Sequence, residues 1–279
     1  MTKERRMESV EKILGVTPTE PGVWEGIASG TRQKRTFGGQ VVGQALAAAT
    51  AALGETGDGE KVVDSLHGYF VSGGDAAQAM QVEVTPVRRG RSYTNLAVRA
   101  AQGERTLFVG NVNFRRPGDP GPVHSAPMPQ VPPPEGLSDG REYLPQKNLL
   151  LFSEWEDWEF RMIENHAAEG YGHQRLWFKA SRPLPEDPAF QAAALAYMSD
   201  MTILYGAMAP HRNHPVQMAS LDHALWFHHP VRVDQWLLYD QVSPSASEGR
   251  ALCTGRIYTQ EGQLVASVAQ EGLTRTLRA

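Results

Sequence analysis

Phe190 to Tyr205 reads F-Q-A-A-A-L-A-Y-M-S-D-M-T-I-L-Y. Upstream, Asp187 can cap a helix N-terminus with its side-chain oxygens, and Pro188 has the fixed φ suited to the first helical position. Gly206 and Pro210 can end the element. Between Asp187 and His211 the only charged residue is Asp200. On helical spacing its neighbours are Ala196 and Tyr197 behind and Ile203 and Leu204 ahead, so no face around it is wet. A helix apolar nearly all round is predicted to be buried. A carboxylate in such a place needs hydrogen-bond partners or a proton, because its desolvation otherwise costs several kcal/mol. Asp200 is then either a structural Asp bonded to a backbone amide or a catalytic acid, base or water-holder.

Working outward, a second uncharged stretch occurs early in the chain. Phe37 to Thr50, F-G-G-Q-V-V-G-Q-A-L-A-A-A-T, is glycine-rich at its start and predicts another buried helix. Ahead of it lie a short helix over Met7–Leu14 and an alternating strand over Gly22–Ala28. Four strand-like runs follow it: Val62–Val71, Met80–Val87, Ser92–Ala101 and Thr106–Phe114. Arg88-Arg89-Gly90-Arg91 and Gln102-Gly103-Glu104 supply the turns between them. Residues 115 to about 140 change character, with Pro117, Pro120, Pro122, Pro127, Pro129 and Pro132-Pro133-Pro134 reading as a semi-rigid surface linker. Beyond it, Trp158–Glu164 and Arg175–Ala180 read as strands joined by a polar loop with His166 and His173. After the Asp200 helix come four more: Ser220–His228, Trp236–Val242, Ala251–Tyr258 and Leu264–Thr274.

The two halves can be laid on one another. His67-Gly-Tyr-Phe matches His223-Ala-Leu-Trp-Phe loosely, and Leu107–Asn113 falls opposite Leu264–Gln270. This predicts an internal duplication of a helix-plus-sheet unit of about 120 residues. One helix followed by a run of antiparallel strands is an α+β pattern. The expected division is residues 1–116, a linker 117–145, and residues 146–279. The first helix offers Gln40 and Gln44 but no carboxylate, so any chemistry is expected mainly in the second half.

Composition restricts the function. The 279 residues are 41% hydrophobic and 21% charged, and the net charge of −4 gives no sign of a nucleic-acid surface. Cys253 is the single cysteine, which excludes an intrachain disulfide and fits a reducing compartment. MTKERRMESVEKIL lacks the apolar core of a signal peptide. No run approaches the ~20 apolar residues of a membrane span. A cytoplasmic protein without membrane insertion is expected.

Nucleophile chemistry finds no support. There is no G-x-S-x-G elbow, and Cys253 alternates on a strand with Leu252 and Thr254. His211-x-x-His214 and His228-His229 lack the carboxylate or Cys spacing of a metal site, so no metal is expected. No phosphate loop or G-x-G-x-x-G is present. Arg88-Arg89-Gly90-Arg91 is either a solvated hairpin turn or a contact for anionic phosphates.

Phe37–Leu46 (F-G-G-Q-V-V-G-Q-A-L) and Ser65–Phe70 (S-L-H-G-Y-F) resemble the acyl-CoA thioesterase II family. So do Tyr197–Asp200 (Y-M-S-D), Ser220–His228 (S-L-D-H-A-L-W-F-H), Trp236–Tyr239 (W-L-L-Y), Ser243–Ser247 (S-P-S-A-S) and Tyr258–Gly272 (Y-T-Q-E-G-Q-L-V-A-S-V-A-Q-E-G), in the family's order. The resemblance implies a double hotdog: two tandem units, each an antiparallel sheet wrapped around one long central helix. It implies hydrolysis of fatty acyl-CoA, medium to long chain and broad, by a water held between an Asp, a hydroxyl and a Gln. Those roles map on Asp200, Ser220 and Gln270; Ser220 stands where many relatives have Thr. An ionised Asp can orient and deprotonate water, while Ser and Gln each donate and accept. Asp222, two residues from Ser220, is the competing acid, read instead as a structural partner of the adjacent loop. Gln270 is alternatively a plain amide at the edge of the last strand. His67, Gly39 and Arg88 are candidate substrate-binding residues, with His67 equally a strand-pairing histidine. Asn113 takes the place of Gln270 in the first half. No cofactor is implied, and the resemblance suggests a homodimer or homotetramer. The rivals are a hotdog dehydratase, for which His211-Arg-Asn-His-Pro215 lacks the needed acid, and a non-catalytic acyl-CoA binder.

Overall fold

The computed structural model describes residues 8–29, 31, 33–57, 60–143, 155–163, 171–211 and 214–277. Thirteen strands form one antiparallel sheet around two long helices. In chain order the first half contributes α1 (Val10–Leu14), β1 (Val16–Glu20), β2 (Val23–Gly26), α2 (Gly38–Glu55), β3 (Val62–Phe70), β4 (Met80–Arg89), β5 (Tyr93–Gln102) and β6 (Arg105–Arg115). The second half contributes β7 (Trp158–Ile163), β8 (Gly172–Ala180), α3 (Pro188–Ser199), α4 (Tyr205–Met208), β9 (Val216–Ser220), β10 (Asp222–Phe227), β11 (Leu237–Ser247), β12 (Arg250–Thr259) and β13 (Leu264–Thr276). The order across the sheet is β1-β2-β4-β5-β6-β3-β10-β13-β12-β11-β8-β7, with β9 paired to β13 beside β10. The halves meet edge to edge through β3 and β10, where Leu66 pairs with Leu225.

Strand alternation sends Leu66, Val82, Val84, Leu96, Val98, Phe108, Val112 and Phe114 of the first half into one core with α2 and α3. Leu176, Phe178, Leu237, Tyr239, Cys253 and Ile257 enter the same core from the second half. Each large apolar side chain buried there stabilises the fold by about 1.5–3 kcal/mol.

The helices approach each other closely because α2 presents glycines. A Cβ on Gly39 would lie 2.1 Å from the backbone oxygen of Tyr197, and one on Gly43 would lie 3.2 Å from that of Ala193. Four residues forward on α2 correspond to four residues back on α3, so the two run antiparallel. The start of α2 is thereby set beside the end of α3. Asp187 caps α3 as expected, its carboxylate accepting from the amides of Ala189 (3.3 Å) and Phe190 (3.2 Å), with Pro188 in the first turn.

Several sequence expectations need correction. The helix predicted through Tyr205 stops at Ser199, and Asp200 is its C-cap, followed by an irregular turn and the one-turn α4. The early helix extends beyond Thr50 to Glu55. Strands β1 and β9 were not expected, and Ser220–His228 is two strands separated at Leu221. His173 lies in β8 rather than in a loop; His166 falls outside the described residues. The proline-rich segment lies on the outer face of the second half's sheet. There Met128, Val131 and Leu137 cover Ile163, Trp177, Leu238, Tyr258 and Leu264, and the Trp177 indole donates to the Pro132 carbonyl at 2.9 Å.

Candidate active site

Asp200 takes its position from the break in α3. The last turn tightens, with Met201 N–H bonded to the Met198 carbonyl, and the Asp200 carboxylate leaves the helix axis while only 8% exposed. A carboxylate at its own helix's C-terminus is electrostatically disfavoured. The N-terminus of α2 offsets this: a Cβ on Gly38 would lie 2.6 Å from Asp200 Oδ2, so the acid faces the positive end of an 18-residue helix. The same imaginary Cβ would lie 3.1 Å from the Phe70 ring, which sets an aromatic side chain beside the acid.

Ser220 Oγ donates to Asp200 Oδ1 at 2.9 Å, and Gln270 Nε2 donates to Ser220 Oγ at 3.0 Å. The three residues named from the sequence are therefore joined in one chain of hydrogen bonds. Gln270 is not at a strand edge. It is fully buried within β13, opposite Cys253 of β12.

A β-bulge makes this meeting possible. Between the pairs Ser220–Gly272 and Ala224–Ala269 one strand advances four residues and the other three. The extra residue breaks the alternation at Leu221, so Ser220 and His223 both reach the inner side and flank Gln270. Asp222 serves this irregularity: its Oδ1 accepts from the Glu271 amide at 2.6 Å. Asp222→Ala is expected to leave that amide without its partner and to lower stability by about 1–3 kcal/mol. Urea unfolding checks it; an unchanged midpoint would mean that the bulge holds itself.

His223 is completely buried, and desolvation holds its imidazole below the ordinary pKa despite the opposing pull of Asp200, Gln270 and Asp222. Its Nδ1 meets Gln270 Oε1, and its Nε2 lies 2.8 Å from Ser199 Oγ. The Tyr239 hydroxyl donates to the Ser199 carbonyl at 2.7 Å, and burial keeps that phenol well above its usual pKa and so neutral. Burial likewise raises the Cys253 thiol, which makes it a poor nucleophile.

The other sequence candidates are not brought to Asp200. His67 projects from the outer face of the sheet, its ring edge-on to Trp226 at 4.6 Å and beside Tyr69, Arg99 and Asn111. Its inward neighbours Leu66 and Gly68 separate it from the core. Arg88 is exposed near the end of β4, level with Ser65 of β3 through Asn95 and Asn113, whereas the site adjoins Phe70. Five residues of strand, about 16 Å, and three strand spacings separate them. Gly39 is packed between the helices. In the first half Asn113 donates to Asp64 at 3.0 Å. Gln40 and Gln44 both donate to the Ile27 carbonyl and tie the incoming chain to α2. Sequence reasoning assigned no role to Gly38 or His223. The crowding of S-L-D-H into four residues was the available signal.

An antiparallel sheet wrapped around two long helices, one from each half, is the double-hotdog fold. The family model described as acyl-CoA thioesterase matches residues 136–273, and that described as acyl-CoA thioesterase N-terminal domain matches residues 27–115. Acyl-coenzyme A thioesterase 8 of Homo sapiens is 34% identical over 95% of this chain and 88% of its own length. Acyl-CoA thioesterase 2 of Haemophilus influenzae is 34% identical over 87% of this chain and 88% of its own. The crystal structure of an acyl-CoA thioesterase II from Mycobacterium marinum superposes with a TM-score of 0.81 at 38% identity, covering 97% of this chain and 98% of that one. The chain belongs to the acyl-CoA thioesterase II family and is an acyl-CoA thioester hydrolase.

Proposed function

We propose that the enzyme hydrolyses medium- to long-chain fatty acyl-CoA, over a broad range of lengths, by direct attack of a water held by Asp200, Ser220 and Gln270. The observation that carries this reading is the continuous chain Gln270–Ser220–Asp200, whose last member is an acid facing a helix N-terminus. Asp200 removes a proton as the water oxygen bonds to the thioester carbonyl carbon. The developing oxyanion is stabilised by backbone amides at the start of α2, where Gly38 leaves room for a close approach. The tetrahedral intermediate then expels the CoA thiolate, which recovers the proton from Asp200. The products are the free fatty acid and CoA, with no covalent enzyme intermediate. Phe70 supports an apolar acyl group at this place, since its partly buried ring lies beside the acid.

Release of CoA thiol from an acyl-CoA series, short to long, tests the proposal. Turnover rising from short to medium and long chains is expected. Turnover confined to the shortest esters would overturn the chain-length part. A burst of CoA equal to the enzyme concentration, with acyl-enzyme accumulating, would overturn the direct-water mechanism. Self-association into a homodimer or homotetramer belongs to the same reading, supported by the exposed Tyr69, Val109 and Trp226 on the outer sheet face.

A further inference from the structure

We infer that His223 is a positioning residue for the hydrolysis: by donating from Nδ1 it locks the Gln270 amide with its NH2 group toward Ser220 and the reacting water. The inference rests on the Asp200–Ser220–Gln270 reading and extends it one residue deeper into the core.

Counting hydrogens along the chain gives its direction. An ionised Asp200 only accepts, so the single hydroxyl hydrogen of Ser220 goes to Asp200 Oδ1. Ser220 Oγ must then accept from Gln270, which turns the Gln270 nitrogen toward the site and its oxygen away. That oxygen meets His223 Nδ1, so the imidazole carries its hydrogen there. A neutral ring with Nδ1–H has a bare Nε2, 2.8 Å from Ser199 Oγ, whose single hydrogen lies between that nitrogen and the Ala196 carbonyl, also 2.8 Å away. From His223 to Asp200 each member then has one role, set by the acid at the end of the chain.

The amide's orientation matters because its two faces differ. With nitrogen toward the site, Gln270 spends one N–H on Ser220 and keeps a second for the water or the thioester oxygen. Flipped, it would offer only an acceptor and compete for the Ser220 hydrogen that Asp200 now receives. Nothing in the amide's shape prevents the flip, because its oxygen and nitrogen are nearly isosteric. The imidazole N–H discriminates between them: it bonds the oxygen and repels the NH2. His223 is fully buried, held on its far side by Ser199, and delivered to the inner face by the bulge at Leu221.

The test pairs His223→Leu with His223→Asn, beside Asp200→Asn as a control. Leucine fills the space without a donor, whereas the asparagine amide can place an N–H near the position of Nδ1. His223→Leu is expected to lose about 10²-fold in kcat, as other ångström-scale misplacements of catalytic groups do, with little change in KM. His223→Asn is expected to recover most of that loss. Parental kcat in His223→Leu, or equal losses in the two variants, would overturn the inference while an inactive Asp200→Asn leaves the triad standing. Parental turnover in Asp200→Asn would overturn the triad reading and the inference with it. If His223→Leu does not fold, nitrogen NMR of the histidine-labelled parent decides. The Nδ1–H tautomer of His223 is the expected result, and the Nε2–H tautomer would overturn the inference.

Discussion

Asp200→Asn is expected to fold as the parent does and to release CoA about 10²–10⁴-fold more slowly, the range that general-base catalysis commands. Asparagine preserves volume, and its Oδ1 can still accept from Ser220, so the hydrogen-bonded chain survives to Gln270. What disappears is the ability to take a proton from water. The negative charge that faces the start of α2 disappears as well, and the expected loss is therefore in kcat rather than in binding. Steady-state thiol release gives the rate, and a thermal melt establishes that the variant is folded. A folded variant turning over like the parent would remove Asp200 from the role of base. A large rise in KM with kcat preserved would make the acid a substrate-binding group instead.

Gly39→Ala is expected to be the most destabilising single-methyl substitution of those at the helix contact. Helix propensity alone would favour alanine by about 1 kcal/mol. Against that, the added carbon would sit 2.1 Å from the backbone oxygen of Tyr197. A carbonyl in a helix cannot rotate away, so α2 and α3 must separate, and such overpacking costs about 1–3 kcal/mol or more. The steric effect wins. Gly54→Ala on the same helix, where a Cβ meets nothing within 4 Å, is the control and is expected to be neutral or mildly stabilising. Urea midpoints of the two variants give the comparison; equal midpoints would mean that the helices slide freely. Catalysis should fall with stability in Gly39→Ala, because the same separation withdraws Gly38 from Asp200.

Much of this was legible in the chain because local chemistry and global fold agree. Asp187-Pro188 marked the start of α3, and strand-like runs between turn residues marked β4 to β6. Glycine at the start of Phe37–Thr50 belonged to a buried helix, although its purpose is a close helix contact. The end of α3 was not legible. No glycine or proline stands between Asp187 and Gly206 except Pro188, and local signals place the stop at Gly206. The helix ends earlier because Asp200 is turned toward Ser220, a partner 20 residues away. The bulge at Leu221 was equally hidden, since it exists only in the mismatch between two strands and their shared neighbour. Asp200, Ser220 and Gln270 could be named from the resemblance, whereas His223 needed the bulge to show that it faces inward. His67, in an equally recognisable block, is displaced to the opposite face by the same alternation.

The pairing of β3 with β10 has a consequence for the gene. Cutting the coding sequence within the proline-rich segment would release two polypeptides, each with a long strand whose amides and carbonyls had lost their neighbour. The second fragment would carry Asp200, Ser220 and Gln270 yet lack Gly38 and Phe70, the surface against which Asp200 is set. The two halves form a single heritable unit, in which the first supplies the wall beside Asp200.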